Sequence, residues 1–443
     1  MGKYFGTDGM RGLVGVELCA HHAFKIGRFL GKRLSLKNGG RVVIGKDTRH
    51  SSYMLEYATA AGLCSTGANV YLLHVCPTAC VSYITKNEGF DFGIMISASH
   101  NPYFDNGIKI LNSEGEKLND ELILEIENYL DSKEEDKDAQ GENIGKIYDF
   151  SVGREKYLEY LKKCSQAPLF GLKIGIDTAS GSAFAIAPKL FSALGATVFQ
   201  IDNEPNGTNI NEDCGSTHPE ALCKFVKENA LDLGFAYDGD SDRCIAIDER
   251  GKVFDGDKIM YALACNLKKE DSLNKNTLVT TIMSNIGLKN ALLKDGIYIK
   301  ETPVGDRHVF EEMKRGGYSL GGEQSGHIII SKYAKTGDGI LTSIKLAELV
   351  AIGASPLSSL ASDLRLYPQV LKNVRVKNKA VVLNSNELNS KLEELKISLD
   401  GRVLVRPSGT EPIIRILVEG KDAGECKKIA KALESIILKE DKI

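Results

Sequence analysis

Residues 92–102 read FGIMISASHNP, an unbroken apolar and small run followed by two serines, a histidine and an asparagine ahead of proline. A run of this kind suits a strand buried on both faces, as parallel sheets require, and its polar tail suits the loop leaving the carboxyl end. The pattern returns twice, as LGFAYDGDSDR over residues 233–243 and YSLGGEQSGH over residues 318–327. Open α/β sheets collect ligands beyond the carboxyl ends of their strands, so three such loops facing one cleft would make a site.

Around these loops, short β-branched runs alternate with helix-period segments, the signature of βαβ units. Strands are predicted at 41–44, 70–73 and 92–96 and helices at 54–64 and 119–130, within a first domain of residues 1–150 that bears the serine loop. The charged stretch DSKEEDKDAQGE, residues 131–142, reads as a solvated connection near its boundary. Helices at 154–163, 183–194 and 220–229 with strands at 173–176, 197–201 and 231–237 make a second domain, 151–255, around the acidic loop. A third, 256–368, takes helices at 257–267, 288–293, 307–313 and 339–351 and strands at 278–282 and 297–300. The tail, 369–443, changes order, with strands at 373–376, 403–405 and 413–418 and helices at 388–395 and 423–438. The expectation is three similar α/β domains with mixed or parallel sheets, plus a smaller C-terminal α+β domain, around a central cleft.

Composition narrows the function. The chain has 443 residues, 42% hydrophobic and 26% charged, which excludes disorder and collagen and fits several globular domains. Lys plus Arg number 56 against 59 Asp plus Glu, net −3, so no global basic field exists for nucleic acid or anionic lipid and an anionic ligand needs a local pocket. No apolar run approaches the roughly 18 residues of a membrane span, and the opening MGKYFGTDGMRG lacks a signal-peptide core, so a cytoplasmic location is expected. The 10 cysteines are scattered without a CxxC pair and read as reduced thiols.

Asp238, Asp240 and Asp242 stand at i, i+2 and i+4, a spacing that lets a tight loop aim hard oxygen ligands at Mg²⁺ or Ca²⁺. An EF-hand fails, because Arg243 stands where its turn needs glycine and strand-like runs flank the loop. A solvated acidic turn is the alternative. In residues 97–102, SASHNP, the hydroxyls end a buried strand, although serine and asparagine also cap helices and make turns before proline. No GxSxG elbow surrounds Ser99, and a serine near a carboxylate-bound Mg²⁺ suits phosphoryl chemistry better than hydrolase chemistry. Arg406, Ser408, Gly409 and Thr410, in RPSGTEP, are the parts needed to grip a phosphate dianion, with Arg415 able to add charge; an ordinary hairpin turn would use Ser-Gly too. Glu323 and Ser325, in GEQSGH, suit sugar hydroxyls. No Walker loop and no dinucleotide GxGxxG appears.

Taken together, FGTDGMRG (5–12), GKDTR (45–49), SASHNP (97–102), DGDSDR (238–243), GEQSGH (322–327) and RPSGTEP (406–412) resemble the α-D-phosphohexomutase superfamily, in that family's order and over essentially the whole chain. Within it the opening motif, Gln324 and NINEDCGSTHPE (209–220) are most similar to the bacterial branch that acts on glucosamine phosphates. The resemblance implies that Ser99 is a phosphoserine and that its phosphate joins Asp238, Asp240 and Asp242 around one Mg²⁺ per chain. It implies Glu323 and Ser325 on sugar hydroxyls, and Arg406, Ser408, Gly409 and Thr410 on the phosphate not being transferred. Lys109 and His327 become candidates for proton transfer, Arg11 matches the family's N-terminal active-site arginine, and Arg243 follows the metal loop.

The implied reaction interconverts glucosamine 6-phosphate and glucosamine 1-phosphate through glucosamine 1,6-bisphosphate, which is also the activator, and supplies UDP-N-acetylglucosamine and cell-wall synthesis. The same chemistry on glucose or mannose phosphates is the alternative. A non-catalytic sugar-phosphate binder is a third reading, against which Ser99 speaks, since binding alone needs no hydroxyl beside a metal. The expected partners are small sugar phosphates, with no nucleic acid or membrane, and the chain is a monomer or homodimer. Two segments depart from the family pattern, DTASGSA (177–183) and CPTAC (76–80), and neither is expected to touch a proposed ligand.

Overall fold

In each of three sheets, the strand that carries a polar loop lies between a parallel neighbour and an antiparallel one. The computed structural model that shows this describes residues 3–6, 8–35, 40–133, 137–408 and 412–441. Phe92–Ile96 pairs in parallel with Arg41–Lys46 and antiparallel with Asp105–Asn112. Leu233–Tyr237 does the same with Lys173–Asp177 and Cys244–Asp248, as does Leu320–Gly322 with Thr277–Thr281 and Ile328–Ile330. Each polar loop is thus a short connection from a strand to the antiparallel strand that returns beside it. The sheets hold seven, five and four strands, and all three are mixed.

The chain divides into two compact units, residues 1–283 with 297–362, and residues 284–296 with 363–443. The first holds the three mixed sheets. Its seven-stranded sheet is backed by Ala20–Ser35 and His50–Ser65. No helix is expected over the first of these from the predicted elements, yet Ala23, Ile26, Leu30 and Leu34 fall on one face and are all buried. Burying Ile26, Leu30 and Leu34 contributes roughly 1.5–3 kcal/mol each. The helix predicted from 119 begins instead at Asp120, because Asn119 is its N-cap and accepts from Leu122 N at 3.1 Å. The helix predicted over 183–194 contracts to Ala187–Ala193, with Pro188 in its first turn, since residues 178–186 are spent on a loop in which Ala179 and Ser180 have positive φ.

The second unit is a three-stranded antiparallel sheet, Gln369–Arg375, Ile413–Gly420 and Gly401–Pro407 in that order. Asn386–Ser398 and Ala423–Glu440 cover it over a core that includes Leu388, Leu395, Ile414, Ile416, Val418 and Leu433. Ile286–Lys294 belongs to the same unit, where Ile286 N donates to the buried Glu419 at 3.0 Å and Gln369 Nε2 donates to it at 3.0 Å. Buried carboxylates are tolerable when satisfied in this way. All ten cysteines carry free thiols, and no helix among the described residues is long and apolar enough to cross a membrane.

Candidate active site

Ser99 is buried and adopts φ 54, a left-handed conformation uncommon for a residue with a side chain. Its N–H donates to Ser97 Oγ at 2.9 Å, and Ser97 Oγ donates to Asp47 Oδ2 at 2.7 Å. Its carbonyl accepts from Arg49 Nη2 at 2.9 Å and from Asn211 Nδ2 at 2.8 Å. Its hydroxyl donates to Asp238 Oδ2 at 2.6 Å, and His100 Nδ1 lies 3.4 Å from Ser99 Oγ. Burial, then the positive charges of Arg243 and Arg11, push His100 down to about 4, so this imidazole is neutral.

Asp238, Asp240 and Asp242 offer oxygens that all lie within 4.8 Å of one another. Burial, then Asp242 and Asp240, push the Asp238 carboxyl up to about 8, as three crowded carboxylates require when no cation divides them. Lys109 Nζ supplies part of the balance, at 2.7 Å from Asp240, 3.2 Å from Asp242 and 3.0 Å from Asp8. Burial works against its charge, but these carboxylates prevail and hold it as an ammonium well above its ordinary range. Among the described residues, Asp240 Oδ1 and Asp242 Oδ1 are buried without a hydrogen-bond partner, the latter 3.6 Å from His327 Nδ1. Buried acceptors left open beside three acidic oxygens suit a hard divalent cation, so the residues present fit one.

The 323–327 loop meets this cluster through its last residue. Gly337 N donates to His327 Nε2 at 2.9 Å, and a Cβ at Gly337 would lie 2.5 Å from the imidazole and 2.7 Å from the Asp242 carbonyl. Burial opposes the imidazolium while Asp242 and Asp306 favour it, raising the ring to about 9. The Gly337 amide aimed at Nε2 competes with this, because it can donate only to the neutral ring with its proton at Nδ1. Glu323 accepts from Gly305 N at 3.1 Å, and burial raises its pKa. Among the described residues, Ser325 Oγ, Arg11 Nε and Arg243 Nε are buried without a hydrogen-bond partner, and Arg243 Nε lies 3.9 Å from Asp242 Oδ1. Such donors mark where a ligand's acceptors would be satisfied. Arg11 pairs with Asp8, and Asp8 continues through Lys117 at 2.5 Å to Asp306, itself 3.5 Å from His327 Nε2.

In the second unit Arg406 and Arg415 stand directly opposite on adjacent strands. Like charges so placed repel, and burial followed by Arg415 lowers the Arg406 pKa. Ser408 is buried, its N–H donates to the Ile413 carbonyl at 2.9 Å, and its own carbonyl accepts from Lys379 Nζ at 2.8 Å. Gly409 and Thr410, expected to complete this phosphate grip, lie outside the described residues.

The structure therefore gathers Ser99, Asp238, Asp240, Asp242, Lys109, His327, Arg11 and Arg243 into one network in the first unit, with Glu323 and Ser325 on the adjoining loop. Asp47, Arg49, His100, Asn211, Asp8, Lys117, Asp306 and Gly337 were given no role from the sequence. The clue for Arg49 and Asp47 was there, in a motif whose charges follow an apolar strand. One expectation is corrected. Thr78, in CPTAC, does touch a proposed ligand, since its hydroxyl donates to Asp240 Oδ2 at 2.5 Å and its N–H to the Asp240 carbonyl at 3.0 Å. DTASGSA likewise braces the acidic loop, with Ser182 N donating to the Gly239 carbonyl at 2.8 Å and Ser182 Oγ 3.0 Å from Ser241 Oγ.

Four family models match the chain: phosphoglucomutase/phosphomannomutase alpha/beta/alpha domain I over residues 2–137, domain II over 155–251, domain III over 255–367 and the C-terminal domain over 371–436. The phosphoglucosamine mutase of Lachnoclostridium phytofermentans is 51% identical over 433 residues, covering 97% of this chain and 97% of its own length. That of Bacillus licheniformis is 46% identical over 444 residues, covering 99% of each. Among solved structures, a phosphoglucomutase/phosphomannomutase family protein of Burkholderia thailandensis matches with TM-score 0.80 at 24% identity, covering 99% of this chain and 98% of its own. The N-acetylphosphoglucosamine mutase of Aspergillus fumigatus, solved with GlcNAc-6P and magnesium, matches with TM-score 0.74 at 16% identity, covering 99% and 96%.

Proposed function

The chain belongs to the phosphoglucomutase/phosphomannomutase family, and on that premise we propose that it interconverts glucosamine 6-phosphate and glucosamine 1-phosphate, with Ser99 as the phosphoryl carrier. It is an isomerase acting as an intramolecular phosphotransferase, and its full-length likeness to phosphoglucosamine mutases favours the amino sugar over glucose or mannose. The observation that carries the carrier assignment is the Ser99 hydroxyl donating to Asp238 inside a three-carboxylate loop. A site built only for binding needs no hydroxyl there.

In the forward direction phosphoserine gives its phosphoryl group to the free sugar oxygen. The P–O bond to Ser99 breaks and one to the sugar oxygen forms, with a net proton passing from that sugar hydroxyl to the Ser99 oxygen, and the product is glucosamine 1,6-bisphosphate. After the sugar turns, the other phosphoryl returns to Ser99. Mg²⁺ held by Asp238, Asp240, Asp242 and the Ser99 phosphate would offset charge on the group in transit. Lys109, held as an ammonium, is suited to deliver a proton to the Ser99 oxygen as it leaves. His327, with one ring nitrogen towards Gly337 N–H and the other towards Asp242, is assigned to orient that carboxylate. Arg11 and Arg243 bring buried donors, Glu323 and Ser325 take sugar hydroxyls, and in the second unit Arg406, Ser408, Gly409, Thr410 and Arg415 hold a phosphate dianion. Domain limits at 150, 255 and 368 and a cytoplasmic setting complete the reading.

Mutase assays on glucosamine 1-phosphate, glucose 1-phosphate and mannose 1-phosphate test it, with the highest kcat/KM expected on the first. Intact-mass analysis of purified enzyme is expected to show one phosphoryl group on Ser99. Near-normal turnover by a cleanly folded Ser99→Ala enzyme would refute the carrier assignment.

A further inference from the structure

The two carbonyls that frame the Ser99 turn each accept from the same two donors. Arg49 Nη2 donates to the Ser99 carbonyl at 2.9 Å and to the Asn101 carbonyl at 2.8 Å. Asn211 Nδ2 donates to the same pair at 2.8 and 3.0 Å. The donors come from different segments, Arg49 following a strand of the first sheet and Asn211 in the loop after the last edge strand of the second. Arg49 is wholly buried, and its Nε donates to Asp47 Oδ2 at 2.7 Å, the atom that also receives Ser97 Oγ. Since Ser97 Oγ accepts the Ser99 N–H, the peptide groups on both sides of Ser99 close into one ring of hydrogen bonds. Gly239 lies against the same carbonyl, where a Cβ would stand 2.6 Å from the Ser99 oxygen and 3.0 Å from Asn211 Nδ2.

A serine at φ 54 keeps that conformation only when its surroundings over-determine it. We infer that Asn211 and Arg49 are positioning residues for phosphoryl transfer, holding the Ser99 backbone through its carbonyl and so fixing where Ser99 Oγ stands. The inference rests on Ser99 being the carrier. The ring leaves the Ser99 side chain out of its own bonding, so what it fixes is the origin from which Oγ swings and not its charge. Misplacing a reacting atom by an ångström lowers the rate of the chemical step while leaving remote contacts to the substrate intact.

The test is Asn211→Gly in the full-length enzyme with Mg²⁺ and glucosamine 1-phosphate. Asn211 has φ 58, which glycine accepts without strain, so the variant removes the amide and leaves the backbone. Expected is a fall in kcat of about tenfold with KM changed less than about twofold, and faster spontaneous loss of phosphoryl from Ser99 by intact mass. Asn211→Asp, which keeps the shape and replaces the donor with an acceptor, should fall at least as far and serves if the glycine variant unfolds. A kcat within about threefold of wild type in both variants, or a KM that moves as much as kcat, overturns the inference. An active wild-type enzyme that never carries phosphoryl on Ser99 overturns the carrier assignment instead, so the two failures are distinct.

Discussion

Ser97 stands two residues before Ser99, just past the strand Phe92–Ile96. The structure gives its hydroxyl two bonds, from Ser99 N–H and to Asp47. Ser97→Ala leaves a buried N–H without its acceptor, at a cost of about 1–3 kcal/mol, and kcat is expected to fall with it while KM for sugar phosphate holds. Steady-state kinetics beside a thermal melt will check both. What the sequence shows is residue type in a spacing. That suffices to put Asp238, Asp240 and Asp242 in one loop, and not to show the contacts of Ser97, Arg49 and Asn211, whose bonds to Asp47 and to the Ser99 carbonyl span 50 or more residues. Asp177 is a further case, an aspartate unremarkable in sequence that sits buried at a strand end. Burial, with Asp202 adding to it against the amides of Ala179 and Gly215, pushes its carboxyl up to about 7 from an ordinary 3.8. The folded state therefore binds this proton more tightly than the unfolded chain does. Its contribution to stability is complete below about pH 4 and is lost as pH rises through about 7, a decline of at most roughly 4 kcal/mol. Urea unfolding is expected to show stability falling between about pH 4 and 7 in wild type and to lose that component in Asp177→Asn.

At the scale of elements, the repeated strand-then-loop reading located all three polar loops, because an apolar run and an abrupt polar tail are local features. It did not supply the return strands Asp105–Asn112 and Ile328–Ile330, where the decisive neighbour lies across the sheet. The antiparallel return is what makes each loop short enough to hold its side chains still. A second device, the turn over residues 336–339, had no local signature of function. Gly337 N–H holds His327, and Gly339 N donates to the Ser241 carbonyl at 3.0 Å, so one turn braces both the imidazole and the acidic loop. Asp338 caps the helix Gly339–Gly353 behind it, accepting from Leu341 N and from Tyr157 Oη, at 2.9 and 2.7 Å. Gly337→Ala brings a methyl to 2.5 Å from the ring, closer than atoms pack, so His327 must shift. The expected result is a kcat lower by about one to two orders of magnitude and a melt a few degrees lower, as overpacking costs about 1–3 kcal/mol. An unchanged kcat with a lowered melt would confine the turn to a structural role.

Across the whole molecule, the chemistry-bearing side chains divide unequally between the two compact units. The first contains the serine, the three aspartates, the lysine and the histidine, and the second contains Arg406 and Arg415 facing each other across a strand pair. Neighbouring guanidiniums on a sheet repel unless an anion sits with them, and the lowered pKa of Arg406 records that repulsion together with burial. On the proposed reading, a bound phosphate would turn this repulsion into two charge-assisted contacts, as a holding site requires. Removing Arg406 takes away one such contact, worth about 1.5–3 kcal/mol, or about 10- to 100-fold in sugar-phosphate binding. Arg406→Ala is thus expected to raise KM by that factor while intact mass still shows phosphoryl on Ser99, since the carrier and its hydrogen-bond ring lie wholly in the other unit. The loss should shrink as ionic strength rises, because salt screens the charge that remains on Arg415. If KM stays at its wild-type value, the second unit holds its phosphate elsewhere, and if phosphoryl disappears from Ser99 instead, Arg406 takes part in the transfer itself.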